Sequence, residues 1–271
     1  MFKINNLTYQ YDKTRKALDN VSMVFNKGNI IGIIGSNGSG KSTLFNNLMG
    51  ILKSTEGEIL YNGEQIKYDK KSLYNLRKEV GIVFQDPEKQ IFYSMVYDDI
   101  AFALRNIGID EKTIKERIHT ALEAVNGLQF IDRPVHNLSF GQKKRVAIAS
   151  VVAMENKLVL LDEPTAGLDP ISTRAIVDII KGLNKRGVKI VISSHDMNLI
   201  YEICDYVYVL NQGVLINEGT REEVFINEEK IDEAGLELPW LVKLHKNMGL
   251  PLFTREEDLY SYWNHREQKT V

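Results

Sequence analysis

Short, largely apolar runs mark out the chain. Ile30 to Ile34, Leu158 to Leu161 and Lys189 to Ile192 are rich in β-branched residues, as strands buried on both faces of a parallel sheet should be. Helical periodicity lies between them. Ile114, Ile118, Leu122 and Val125 fall on one face, and Ile176, Ile179, Ile180 and Leu183 do the same after Pro170. Strands alternating with helices predict a parallel α/β sheet. The amino-terminal segments Leu7 to Tyr11 and Val21 to Phe25 alternate with no helix between them, which predicts antiparallel strands packed beside that core.

From about Asp86 to Ser150 the pattern is almost wholly helical, so a helical subdomain at about 86–150 is expected inside a main domain spanning 1–236. Gly235 to Pro239 punctuates the chain ahead of a short helical extension, 237–271. Trp240, Leu241, Leu244 and Met248 recur there at helical spacing, as local core or as an interface, and Tyr260, Tyr262 and Trp263 are expected to pack similarly.

Composition narrows the function classes. With 271 residues, 44% of them hydrophobic, the chain buries a full core. No run approaches the roughly 18 apolar residues of a membrane span, and no charged segment followed by an apolar one opens the chain as a secretion signal would. A cytoplasmic location is therefore expected. The formal charge of −2, from 34 basic and 36 acidic residues, lacks the basic footprint of nucleic-acid binders, so no nucleic-acid partner is expected. The single cysteine, Cys204, permits no internal disulfide and reads as a small buried apolar residue.

The sharpest chemical signal is Gly35-Ser36-Asn37-Gly38-Ser39-Gly40-Lys41-Ser42, a G-x-x-x-x-G-K-[ST] loop between an apolar strand and a predicted helix. Glycines let the backbone turn tightly, so that amides and a helix amino terminus face phosphate. Lys41 supplies a point charge for the β and γ phosphates, and Ser42 offers a hydroxyl to Mg²⁺.

A second strand, Lys157 to Leu161, delivers Asp162 and Glu163 to the carboxyl edge of the sheet, where open α/β sheets bind ligands. Phosphoryl transfer has a use for both: Asp162 to hold Mg²⁺, directly or through water, and Glu163 to take a proton from the attacking water. His195 follows the strand Lys189 to Ile192, and Gln85 ends the strand Val80 to Phe84. Taken alone, each suits an ordinary turn. Leu138-Ser139-Phe140-Gly141-Gln142 opens another helix, with Ser139 as a cap and basic residues close by. One nucleotide does not need two such helix starts from one chain. A dimer in which each copy covers the other's phosphate is the natural completion.

In this order the motifs resemble those of the ATP-binding subunit of ATP-binding cassette (ABC) transporters, across roughly Leu7 to Asp196. The resemblance implies a P-loop NTPase core of mixed, mainly parallel sheet with antiparallel β and helical subdomains. It makes Gly35 to Ser42, with Thr43 beside them, the Walker A loop and Gln85 the Q-loop residue that senses Mg²⁺ and the membrane partner. Asp162 and Glu163 match Walker B and the catalytic glutamate, Asp169 the D-loop, and His195 the switch histidine. Ser139, Gly141 and Gln142 fall in the signature that contacts ATP on the opposite subunit. Tyr11 sits where the family places an aromatic that stacks on adenine, with a half-buried strand tyrosine as the alternative. The chain departs from the usual signature at Phe140, where glycine is usual, so that side chain must point away from the partner's ATP.

Val80 to Phe92 further resembles the extended Q-loop segment of energy-coupling factor (ECF) importers, which take up metal ions and vitamins. Lys143-Lys144-Arg145 and the Gly235-to-Trp240 run are similar to those of cobalt-importer ATPases. This resemblance implies a peripheral ATPase on the cytoplasmic side of the cell membrane. It implies a homodimer, or a heterodimer with a paralogous ATPase, joined to a transmembrane coupling subunit and a substrate-binding membrane subunit. Asp86, Glu88 and Gln90 would meet the membrane partner or simply form a solvated helix start.

The cargo implied is cobalt or another transition metal ion, with vitamins as the alternative. A soluble ABC ATPase of DNA repair or translation would carry a long coiled coil or two cassettes, and the chain has neither. A GTPase would carry Asn-Lys-x-Asp, and Asn26-Lys27, Asn156-Lys157 and Asn184-Lys185 all lack the aspartate.

Overall fold

The computed structural model describes residues 1–12 and 15–267. Among them the strands form two sheets. β1 (Phe2–Gln10), β2 (Lys16–Val24), β4 (Glu56–Tyr61) and β5 (Glu64–Gln65) form an antiparallel sheet in the order β2-β1-β4-β5. Leu7 stands opposite Val21, the two segments whose alternation predicted this pairing.

The larger sheet runs β10-β9-β3-β8-β7-β6, built from β3 (Ile30–Ile34), β6 (Val80–Val83), β7 (Leu158–Asp162), β8 (Lys189–Ser194), β9 (Tyr206–Asn211) and β10 (Val214–Thr220). All its neighbouring strands are parallel except β9 and β10, which form an antiparallel hairpin. The expected α/β class with a mixed, mainly parallel sheet is the one observed.

Successive side chains of a strand leave on opposite faces. Ile31, Ile33, Leu158, Leu160 and Val191 therefore join one apolar cluster, with the antiparallel sheet and α1 (Lys41–Leu48). Ile30, Ile34, Val159, Leu161, Ile190 and Ile192 join the other, with the remaining helical layer. Burial on both faces is why these strands lack polar alternation.

α2 (Lys70–Glu79) leads into β6, and α3 (Val96–Asn106), α4 (Glu111–Ala124) and α5 (Phe140–Ala153) fill the segment between β6 and β7. Ile114, Ile118, Leu122 and Val125 are fully buried. α6 (Pro170–Lys185) buries Ile176, Ile179, Ile180 and Leu183 between β7 and β8, and α7 (Met197–Ile203) precedes β9. Cys204 is buried in the core as expected, and burial pushes its thiol well above the usual range.

α8 (Arg221–Ile226) and α9 (Glu228–Glu233) precede the Gly235 to Pro239 break; α10 (Trp240–Met248) and α11 (Glu256–Glu267) follow it. Leu238, Leu241, Val242, Leu250 and Leu259 join the apolar cluster under the helical layer. Met248 is 63% exposed, so the apolar stripe of α10 is buried only along part of its length. The expectation for the tail aromatics needs correcting. Tyr262 packs on Phe253 at 5.4 Å between ring centres, whereas Tyr260 and Trp263 are exposed, because α11 lays only one narrow face on the body. The end of the predicted extension, 268–271, lies outside the described residues.

Candidate active site

The loop after β3 owes its shape to glycine. Gly40 has φ +108°, and a Cβ there would lie 2.6 Å from the Ala17 carbonyl oxygen. A Cβ on Gly35 would lie 2.3 Å from the Leu210 carbonyl oxygen. Both positions exclude any side chain. Because Gly40 is the residue ahead of α1, no side chain caps that helix, and its first turn carries no acidic residue. Amides in that first turn have no helical partner and suit an anion.

Lys41 is buried at the start of α1. Its Nζ donates to the carbonyl oxygens of Gly35 at 2.7 Å and Ser36 at 3.2 Å, and pairs with Glu163 Oε1 at 3.6 Å. An ammonium so desolvated and so close to the loop is ready to exchange these partners for phosphate oxygens.

The carboxylates arrive by sheet register. Asp162, the last residue of β7, stands beside Ser193 of β8. Ser193 Oγ donates to Asp162 Oδ1 at 2.6 Å and accepts the Glu163 N–H at 3.0 Å. Glu163 takes φ +47°, which costs a non-glycine residue on the order of 1–2 kcal/mol. Its N–H also reaches the Ser193 carbonyl oxygen at 3.2 Å, and its own carbonyl accepts from Ala166 N–H at 3.1 Å and Lys144 Nζ at 2.8 Å. These bonds hold the left-handed turn that aims the carboxylate back at the loop. There Oε2 meets Nδ1 of the exposed His195 at 2.7 Å.

A cleft of about 400 Å³ opens over the loop, lined by Tyr11, Asp12, Arg15 and Ala17, by 37–43, and by Gln85 and Glu163. Thr43 and Ser42 face it together, and Tyr11 Oη lies 3.2 Å from Thr43 Oγ1. Tyr11 lies just past β1, 65% exposed, with its ring edge-on to Tyr9. It is therefore not a half-buried strand residue.

The structure thus brings Tyr11, 35–43, Gln85, Asp162, Glu163 and His195 to one edge. It does not bring the other helix start to that cleft. Ser139 caps α5, its Oγ accepting the Gln142 N–H at 3.3 Å while Gln142 Oε1 accepts the Ser139 N–H at 2.9 Å. Gly141 lies close against Ser172 of α6. Asp169 caps α6, and hydrogen bonds from Ser172 and Ile171 hold its carboxyl below the usual range. Phe140 turns back on its own chain, its ring near Gly167 and 5.5 Å from Lys144 Nζ.

Two residues of this network, Ser193 and Lys144, have no assigned role in the sequence reading. Ser193 was detectable as the residue aligned with Asp162 once β7 and β8 were taken as neighbours. Lys144 was detectable only as a basic residue in the apolar stripe of α5. In the Q-loop segment, Asp86 caps a short turn at Pro87–Lys89, Glu88 pairs with Lys143, and Gln90 bridges Phe84 N–H and the Ala147 carbonyl.

The family model described as "ABC transporter" matches residues 18–166. The cobalt import ATP-binding protein CbiO of Salmonella typhimurium is 45% identical over 269 residues, 99% of this chain and 97% of that protein. The energy-coupling factor transporter ATP-binding protein EcfA of Methanosphaera stadtmanae is 43% identical over 248 residues, 92% of this chain and 89% of that one. Among solved structures, CbiO1 of Clostridium perfringens, part of the ABC transporter complex CbiONQ, superposes with a TM-score of 0.77 at 41% identity, covering 90% of this chain and 98% of that one. The chain belongs to the ABC transporter family, as an ATP-binding, ATP-hydrolysing subunit of the CbiO and EcfA type.

Proposed function

We propose that the chain is the peripheral, cytoplasmic-side motor of an ECF-type importer for cobalt or another transition metal ion, working as a pair of ATPases. The observation that carries the motor reading is the buried Glu163 carboxylate, held between Lys41 and His195 at the mouth of the phosphate loop. Lys41 and the amides of 38–42 grip the polyphosphate, and Tyr11 lies against the base. Glu163 accepts a proton from the water that attacks the γ phosphate. His195, bonded to Glu163, fixes the direction of that carboxylate. Ser139, Gly141 and Gln142 of one copy cap the ATP in its partner's loop, with Asp169 at the same seam, whether the partner is identical or a paralogue.

The oxygen donors near the loop suit Mg²⁺. Ser42 offers a hydroxyl, Gln85 an amide oxygen and Asp162 a carboxylate whose Oδ1 is already oriented by Ser193. This short, oxygen-only set matches a hard ion that takes its other ligands from phosphate and water. When bound, Mg²⁺ would neutralise charge on the phosphates.

Among the described residues no helix is long and apolar enough to cross a membrane. Transport therefore requires membrane subunits, one for coupling and one for the cargo. An exposed aromatic patch beside the Q-loop offers a docking surface: Phe92 is 79%, Tyr93 43% and Phe102 42% exposed. Asp99 Oδ1 accepts both the Phe92 and Tyr93 N–H groups and so fixes the shape of that segment. The names of the CbiO relatives favour cobalt, and vitamins are the alternative that EcfA-type proteins leave open.

Deletion of this chain in its host tests the reading. Uptake of labelled cobalt should be lost and then restored by the native chain. Loss of vitamin uptake instead would move the cargo to vitamins, and loss of neither would refute an importer.

A further inference from the structure

Lys144 is a buried charge that takes no part in holding the nucleotide. Lys144 lies on α5, one turn beyond the capped start at Ser139, and is only 1% exposed. A lysine removed from water this completely is costly unless its ammonium is bonded. Its Nζ donates to the carbonyl oxygen of Glu163 at 2.8 Å and sits 5.5 Å from the centre of the Phe140 ring. Asp162 and Glu163 are also the carboxylates that most favour its charged form, against a burial that brings its pKa down to about 8.

The bond goes to a backbone that cannot relax freely. Glu163 has φ +47°, so the direction of its side chain depends on what holds that peptide in the left-handed region. Three groups pin the turn: Ser193 takes the Glu163 N–H, while Ala166 N–H and Lys144 Nζ share the Glu163 carbonyl. Only Lys144 comes from α5; the others belong to β8 and to the turn itself.

We infer that Lys144 is a positioning residue for ATP hydrolysis: by holding the Glu163 carbonyl from α5, it fixes the left-handed turn that aims the Glu163 carboxylate. The helix that begins with the signature residues is thereby tied, through one hydrogen bond, to the backbone of the proposed base. The Phe140 ring, at the position where glycine is usual, lies 5.5 Å from that ammonium, within cation–π range.

The inference rests on the reading of Glu163 as proton acceptor, and the test separates the two. Lys144→Met keeps the length and volume of the stem and deletes the donor. Ala166 still serves the Glu163 carbonyl, so the variant should fold. Lys144→Gln keeps an N–H donor on a shorter stem. ATP turnover and the affinity for fluorescent ATP are measured on the full chain for these variants, for Glu163→Gln and for Lys144→Met combined with Glu163→Gln.

Lys144→Met should lower kcat on the order of 10-fold or more, since sub-ångström aim of a reacting group is worth that much. Nucleotide affinity should be unchanged, Lys144→Gln should recover part of the loss, and Lys144→Met should add nothing in the Glu163→Gln background. Native kcat in Lys144→Met, or the same fractional loss in both backgrounds, would overturn the inference while leaving Glu163 as base. Undiminished turnover in Glu163→Gln would overturn the reading beneath it.

Discussion

Replacing Glu163 by glutamine separates binding from chemistry. The side chain keeps its size and can still bond His195, which lies 2.7 Å from Oε2, so the turn and its four backbone bonds are expected to persist. What disappears is a negative charge 3.6 Å from Lys41 Nζ, a direct attraction of about 4–5 kcal/mol at an effective dielectric near 20. In the native chain, incoming phosphate competes with that carboxylate for the ammonium and is repelled by it. In the variant Lys41 is fully available, so ATP affinity should be equal or higher.

Turnover should move the other way. An amide cannot take a proton, and loss of a general base typically costs about 10²- to 10⁴-fold, or about 3–5 kcal/mol of transition-state stabilisation. Phosphate release gives the rate and a fluorescent ATP analogue the affinity. With nucleotide present, light scattering should detect a persistent dimer. Turnover within about threefold of native would show that Glu163 is not the base, and weaker nucleotide binding would refute the charge argument.

Two further outcomes follow from the loop and the docking patch. Gly40→Ala places a Cβ 2.6 Å from the Ala17 carbonyl at φ +108°, so it should lower stability by about 1–3 kcal/mol and sharply weaken ATP binding. Denaturant midpoints and nucleotide titration check both, and an unchanged loop would refute the steric reading. Phe92→Ser alters a side chain that is 79% exposed and outside the cleft, so the isolated subunit should keep its ATPase rate while membrane subunits no longer copurify. Retained copurification would remove the aromatic patch from the docking surface.

The sequence by itself determined whatever depends on near neighbours in the chain. Unbroken apolar runs marked the strands buried on both faces, and periods of two and 3.6 marked the amino-terminal strands and the faces of α4 and α6, because burial selects residue type at each position of a regular backbone. The Gly35-to-Ser42 loop was legible because only glycine tolerates its conformations. The carboxylates, histidine and glutamine at strand ends could be named because a parallel sheet delivers its carboxyl edge to one place. Tyr260 and Trp263 misled, since an aromatic residue at helical spacing does not reveal whether a neighbour covers it.

Tertiary structure decided the pairings across the sheet. His195 meets Glu163 across a separation of 32 residues, and Ser193 meets Asp162 across 31. Those contacts exist because β7 and β8 lie in a particular register. The role of Lys144 is the clearest case. A charged residue within an apolar helical stripe looks like an error of patterning until the fold sets the Glu163 carbonyl 2.8 Å from its ammonium. Local propensity is written in adjacent residues, but a buried polar group finds its partner only when separate elements pack, and that packing is a property of the whole chain.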